Sequence, residues 1–119
     1  MIFFGANDAS PYHLIRPAEF RENLLKMILQ LGVERTVLIT PPFYNDDEPT
    51  HYSKLSEVEL FREVTLNLGK EKSLKVIDIF QIMKGSENPK NLLRADGLHF
   101  TSRAYELLVR EILSVIKNP

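Results

Sequence analysis

Two short stretches hold side chains whose types and spacing suit one kind of chemistry. The first is "FFGAND" at residues 3–8, where Gly5 permits a tight turn and Asn7 offers an amide able to donate to a developing oxyanion. Asp8 is expected to brace that turn through local hydrogen bonds. The second is "DGLHF" at residues 96–100, in which Asp96 and His99 stand three residues apart just ahead of an apolar helical pattern. A turn of that length brings the carboxylate to one imidazole nitrogen and leaves the other facing a cleft. That is the orienter-and-base half of a nucleophilic triad. Other assignments stay open: Asn-Asp after glycine is ordinary turn chemistry, and Asp96 can cap the helix with His99 on the surface. A pair of metal ligands is a further rival, poorly supported because His13 and His51 sit in polar loops without ligand-like spacing. The expectation is therefore a site with no metal and no cofactor.

Such residues need elements to hold them, and the chain alternates strand and helix signals. "MIFF" is an apolar run ending at Gly5, which suits a buried strand stopped by a turn. "PAEFRENLLKMILQLG" predicts a helix opening at Pro17 and capped by Gly32, with Phe20, Leu24, Met27, Ile28 and Leu31 on one face. "TVLIT" at 36–40 is β-branched and unbroken, as in a strand covered on both faces, and Pro41-Pro42 ends it. After the polar loop "YNDDEPTH", a helix is expected over about 54–68. Ser56 with Glu59 resembles a capping box there, Phe61, Val64 and Leu68 share a face, and Gly69 ends the run. "KVIDIF" at 75–80 predicts a third strand, followed by a short apolar turn "QIM" and a polar loop "KGSENPKN". "SRAYELLVREILSVIK" predicts a closing helix with Tyr105, Leu108, Ile112 and Ile116 along its stripe. Strand and helix alternating in this way imply an α/β fold, a parallel sheet with helices over it, whose chemistry gathers at the carboxyl ends of the strands.

Composition narrows the partners. At 119 residues the chain suits one domain with one modest core. A net charge of -1 with mixed signs gives no footprint for nucleic acid. Without cysteine there is no disulfide and no thiolate chemistry, and no apolar run reaches membrane-spanning length. The expectation is a soluble, cytoplasmic protein with neither nucleic acid nor membrane as partner.

The order "FFGAND", "VLITPP", "VIDIF", "DGLHFTSRAYELL" resembles the GDSL or SGNH hydrolases, and within them the isoamyl acetate-hydrolysing esterase branch. Nearly the whole chain is covered. The resemblance implies a flavodoxin-like three-layer α/β/α fold, with Asn7 as oxyanion donor, His99 as general base and Asp96 as its partner. Gly5, Asn7 and Phe100 are expected on the substrate side, with Phe43 and Tyr44 as further candidates for an acyl pocket. The family's first block, which carries the serine nucleophile, and its second, which supplies a glycine donor, do not precede Met1. Ser10 and the "GSE" at 85–87 are weak substitutes. Residues 1–119 are accordingly expected to be the C-terminal portion of a single SGNH domain whose parallel sheet lacks its N-terminal strands. Such a chain would be an ester hydrolase or lipase inactive alone, acting on a small ester only when completed by a serine-bearing segment. The alternative is a catalytically silent interaction module. In either case an unpaired "MIFF" edge is expected to make the chain self-associate as a homo-oligomer, or to join a separate N-terminal piece.

Overall fold

Parallel strands cannot be joined by hairpins, so each pair needs a crossover, and the sequence supplies a long helix for each. In the computed structural model, which describes residues 1–3, 15–43, 55–94 and 99–117 (for Leu55 and Ser56 the backbone alone), β1 (Ile2–Phe3), β2 (Val37–Ile39) and β3 (Lys75–Ile77) lie side by side in that order, all parallel. Helix α1 (Pro17–Leu31) connects the first pair of strands and α2 (Leu55–Glu71) the second. Right-handed crossovers advancing in one direction put both helices on one face of the sheet. They pack against each other there, Phe20 meeting Phe61 edge to face with centroids 4.6 Å apart.

Register assigns the strand side chains to faces. Ile2, Leu38 and Val76 form one cross-strand row, and Phe3, Ile39 and Ile77 form the next. Side chains of successive rows point to opposite faces. Gly69 of α2 identifies the first row's face, because a Cβ on it would run into Val76 Cγ2 and lie 3.8 Å from Leu38 Cδ1. The second row faces the other way, and Phe3 meets Phe100 there with ring centroids 6.5 Å apart. Helix α4 (Ser102–Lys117) packs over β3 and buries Ala104 and Leu108. A short helix α3 (Ile79–Lys84) and a 3-10 turn at Pro89–Leu92 fill the connection to it.

Local chemistry explains both the agreements and the departures. Helix α1 opens at Pro17, whose missing N–H is no loss in a first turn. It closes at Gly32, held at φ 98° with its N–H bonded to Ile28 O at 2.8 Å. Phe20, Leu24 and Ile28 are buried and Met27 is half-buried, whereas Leu31, on the same face, is exposed. Gly69 does not end α2. The helix runs on to Glu71 because that glycine serves close packing on Val76, and the chain reverses at Ser73, held at φ 57°. Ser56 lies inside the first turn of α2 rather than at its cap. Strand β3 stops at Ile77, short of Phe80, because the Asp78 carboxylate accepts the Gln81 N–H and caps α3, so "QIM" is helix and not turn. In α4 the expected stripe divides: Leu108 is buried and Ile112 half-buried, but Tyr105 and Ile116 belong to an outer stripe with Val109 and Leu113.

Candidate active site

The chain approaches α4 through a short antiparallel pairing. Leu93 and Phe100 form an isolated bridge, the Arg94 N–H donates to His99 O at 2.7 Å, and the Thr101 N–H donates to Leu92 O at 3.0 Å. Thr101 locks this pairing to the helix. Its hydroxyl donates to Leu92 O at 3.0 Å and accepts the Ala104 N–H at 3.4 Å, an N-cap that fixes where α4 begins. His99 is thereby set two residues ahead of the cap, with its side chain exposed. A cavity of about 460 Å³ opens beside it, lined by Arg94, His99, Phe100, Thr101, Ser102 and Tyr105. Phe100 joins this cavity to the sheet, its ring lying 5.3 Å from that of Tyr105 on one side and near Phe3 on the other. The carboxyl end of β1, which leads into Gly5 and Asn7, thus reaches the immediate neighbour of His99.

Gly5, Asn7 and Asp96 themselves lie outside the described residues, as do Asp8, Ser10, His13, Tyr44 and His51. Of the expected site residues, His99 and Phe100 are described, and they line one cavity. Phe43 does not line it: the ring is buried against Phe80, with centroids 6.0 Å apart. Ser86 of "GSE" donates its hydroxyl to Met83 O at 2.7 Å and finishes α3, a role unlike that of a nucleophile. Among the described residues no cluster of three or more His, Asp or Glu side chains is placed to hold a metal ion.

A second polar constellation, at the carboxyl ends of β2 and β3, was not foreseen from the sequence. Arg62 of α2 grips Asp78 with two prongs, Nε to Oδ1 at 3.0 Å and Nη2 to Oδ2 at 2.6 Å. The buried Thr40 hydroxyl donates to the same Oδ1 at 3.2 Å and accepts the Phe80 N–H at 3.2 Å. Burial pushes the Asp78 carboxyl up, but hydrogen bonds from Arg62 and the Gln81 amide, the Arg62 charge and the Thr40 hydroxyl together hold it below the ordinary range. Its hydrogen bond to Asp78 raises the Arg62 guanidinium, which also lies 5.3 Å from the Phe80 ring centroid. With Oδ1 accepting three donors, this carboxylate has little capacity left for a substrate, and the cluster acts as a brace joining β2, β3 and α2. One signal was available in the sequence: an aspartate placed directly between an apolar strand and an apolar helical turn.

A parallel sheet with a crossover pair on one face and a closing helix on the other defines a three-layer α/β/α domain. The chain belongs to the GDSL-like lipase/acylhydrolase family, whose sequence pattern matches residues 1–107. It is similar to the crystal structure of a lipase/acylhydrolase from Enterococcus faecalis, with a TM-score of 0.93 and 40% identity, covering 98% of this chain and 59% of that one. A GDSL esterase/lipase of Arabidopsis thaliana is 32% identical over 99% of this chain and 43% of its own length. For the isoamyl acetate-hydrolyzing esterase of Schizosaccharomyces pombe the figures are 29%, 99% and 50%. The chain thus spans about half the length of the curated relatives it matches. An acetylxylan esterase from Geobacillus stearothermophilus, at 19% identity and a TM-score of 0.68, shares the fold.

Proposed function

We propose that this chain carries the acid–base part of an ester hydrolase, the C-terminal portion of one domain, and that it cleaves small carboxylic esters once a serine-bearing segment completes the site. The supporting observation is His99, exposed on a cavity at the head of α4 in a chain of lipase/acylhydrolase family. In the completed site His99 takes the serine proton as the hydroxyl attacks the ester carbonyl. Asp96 holds the imidazole in the right tautomer, and Asn7 donates to the oxyanion. His99 then protonates the departing alcohol and activates the water that frees the acid. Alone, the chain offers a base without a nucleophile.

The substrate named for the fission yeast relative, isoamyl acetate, is the first ester to try. The isolated chain should neither hydrolyse it nor react with a serine-directed fluorophosphonate. Adding the portion of the Enterococcus protein that lies outside the matched region should restore hydrolysis, and His99→Ala should abolish the restored rate. Stoichiometric labelling of the chain alone, or a restored rate indifferent to His99→Ala, sinks this reading.

One observation favours a second reading, that of a silent interaction module. Strand β1 has β2 on one side and no described strand on the other, and Phe3 is 38% exposed there. Self-association through this edge, giving a homo-oligomer, follows from the backbone donors and acceptors that an edge strand presents to another chain. Among the described residues no helix is long and apolar enough to cross a membrane. A cytoplasmic location is part of the proposal.

A further inference from the structure

We infer that the cavity beside His99 is a carboxylate-binding pocket, and that Arg94 reads the anion. The bridge between Leu93 and Phe100 makes Arg94 and His99 direct opposites across an antiparallel pair, tied by the 2.7 Å bond from the Arg94 N–H to His99 O. Both residues line the cavity together with Phe100 and Tyr105, so a guanidinium and an imidazole belong to one lining. Arg94 is exposed, and among the described residues no ion pair engages it, whereas Arg21, Arg62 and Arg103 each hold a carboxylate. The described lining contains no acidic residue and is backed by the aromatic pair Phe100 and Tyr105. A forked cation above an apolar wall suits a small organic acid: the fork takes both carboxylate oxygens, and the wall takes the alkyl part.

The inference rests on the proposed hydrolase reading for its place in the reaction, since cleavage of an ester leaves the acyl half as a carboxylate beside His99. Two sources supply that group. It is either the acid product itself, or a free carboxylate on a substrate that is the half-ester of a dicarboxylic acid.

Binding needs no nucleophile, so the 119-residue chain is the right object for the test. Sodium acetate titrated at constant ionic strength should give saturable NMR shifts at the His99 ring, the Arg94 side-chain N–H and the Ser102 amide. Arg94→Gln should weaken acetate binding about tenfold, the worth of one charge-assisted hydrogen bond. Arg110→Gln, on the neighbouring face of α4, should leave it unchanged, and matching thermal midpoints should show both variants folded. Monomethyl succinate binding better than acetate, in an Arg94-dependent way, places the carboxylate on the substrate; acetate binding as well or better makes it the product. Absence of saturable shifts, shifts indifferent to Arg94→Gln, or sulfate competing as strongly as acetate overturns the inference. A chain that binds acetate through Arg94 but is never activated by the Enterococcus segment would fail the hydrolase reading and leave the pocket standing.

Discussion

On one face of the sheet, α1 and α2 cover the row Ile2, Leu38 and Val76, and their own inner residues Phe20, Leu24, Ile28, Val58, Phe61 and Leu68 are sealed from water. On the other face α4 covers β3 through Ala104 and Leu108, yet Phe3 stays partly bare, and Tyr105, Val109, Leu113 and Ile116 face outward with at least 46% of each exposed. A helix that buries one stripe has one partner; a helix with apolar residues on two sides is shaped for two. The first face is sealed where α1 and α2 meet the sheet and each other, although Leu29, Leu31 and Leu60 stay exposed on those helices. The second leaves an apolar stripe of α4 bare, the kind of patch that marks an interaction surface.

Truncation should expose that difference most strongly. Ile28→Ala, on the sealed face, should cost about 2–5 kcal/mol in urea denaturation. Val109→Ala, on the bare stripe, should stay within about 0.5 kcal/mol. Equal losses would mean that the stripe is already covered in solution, and the contrast between the faces would vanish.

The brace between β2, β3 and α2 comes next. Asp78→Asn should cost about 2 kcal/mol at neutral pH, since Arg62 loses its carboxylate in a half-buried setting. The folded-state pKa of Asp78 is depressed, so its contribution is complete above the unfolded carboxylate value of about 3.9 and lost as pH falls through the folded value. Stability curves of the two proteins should therefore converge in acid. A constant gap across pH 7 to 3 would assign the loss to packing instead.

How much of this was legible in the sequence depends on whether a residue had one job or two. Pro17 and Gly32 are punctuation and nothing else, so α1 could be read to its ends. Gly69 looks like the same punctuation but is a contact point, and only the approach of Val76 reveals it. Asp78 ends a strand, caps a helix and anchors Arg62 sixteen residues back, and linear spacing carries no trace of that last link. In α4 apolar residues occupy so much of the helix surface that periodicity alone could not choose the inner stripe. At the site, the three-residue interval placed His99 on its loop before α4. Arg94 went unnoticed because its proximity to His99 arises from a backbone bridge between residues of no recognisable motif.

Gly69→Ala tests the sealed face on a finer scale. Alanine gains up to about 1 kcal/mol in helix propensity over glycine, so on an open helix it would stabilise. Here the added methyl meets Val76 Cγ2, a stiff branched side chain at the centre of β3, and overpacking of that kind costs about 1–3 kcal/mol. The net expectation is a loss of about 1 kcal/mol, and pairing the change with Val76→Ala should recover part of it because the two sites share one contact.

The smallest effect on stability should accompany the clearest change in assembly. Val109→Glu places a charge on the bare stripe, where it costs almost nothing in a monomer because the position is already half in water. If the open face mediates association, sedimentation at micromolar concentration should show the parent chain as an oligomer and Val109→Glu shifted towards monomer, with thermal midpoints nearly alike. A parent chain that persists in the associated state after this change would place the contact on the β1 edge instead. Phe3→Lys is the matching disruption there, since a charged residue on an edge strand opposes pairing with another edge.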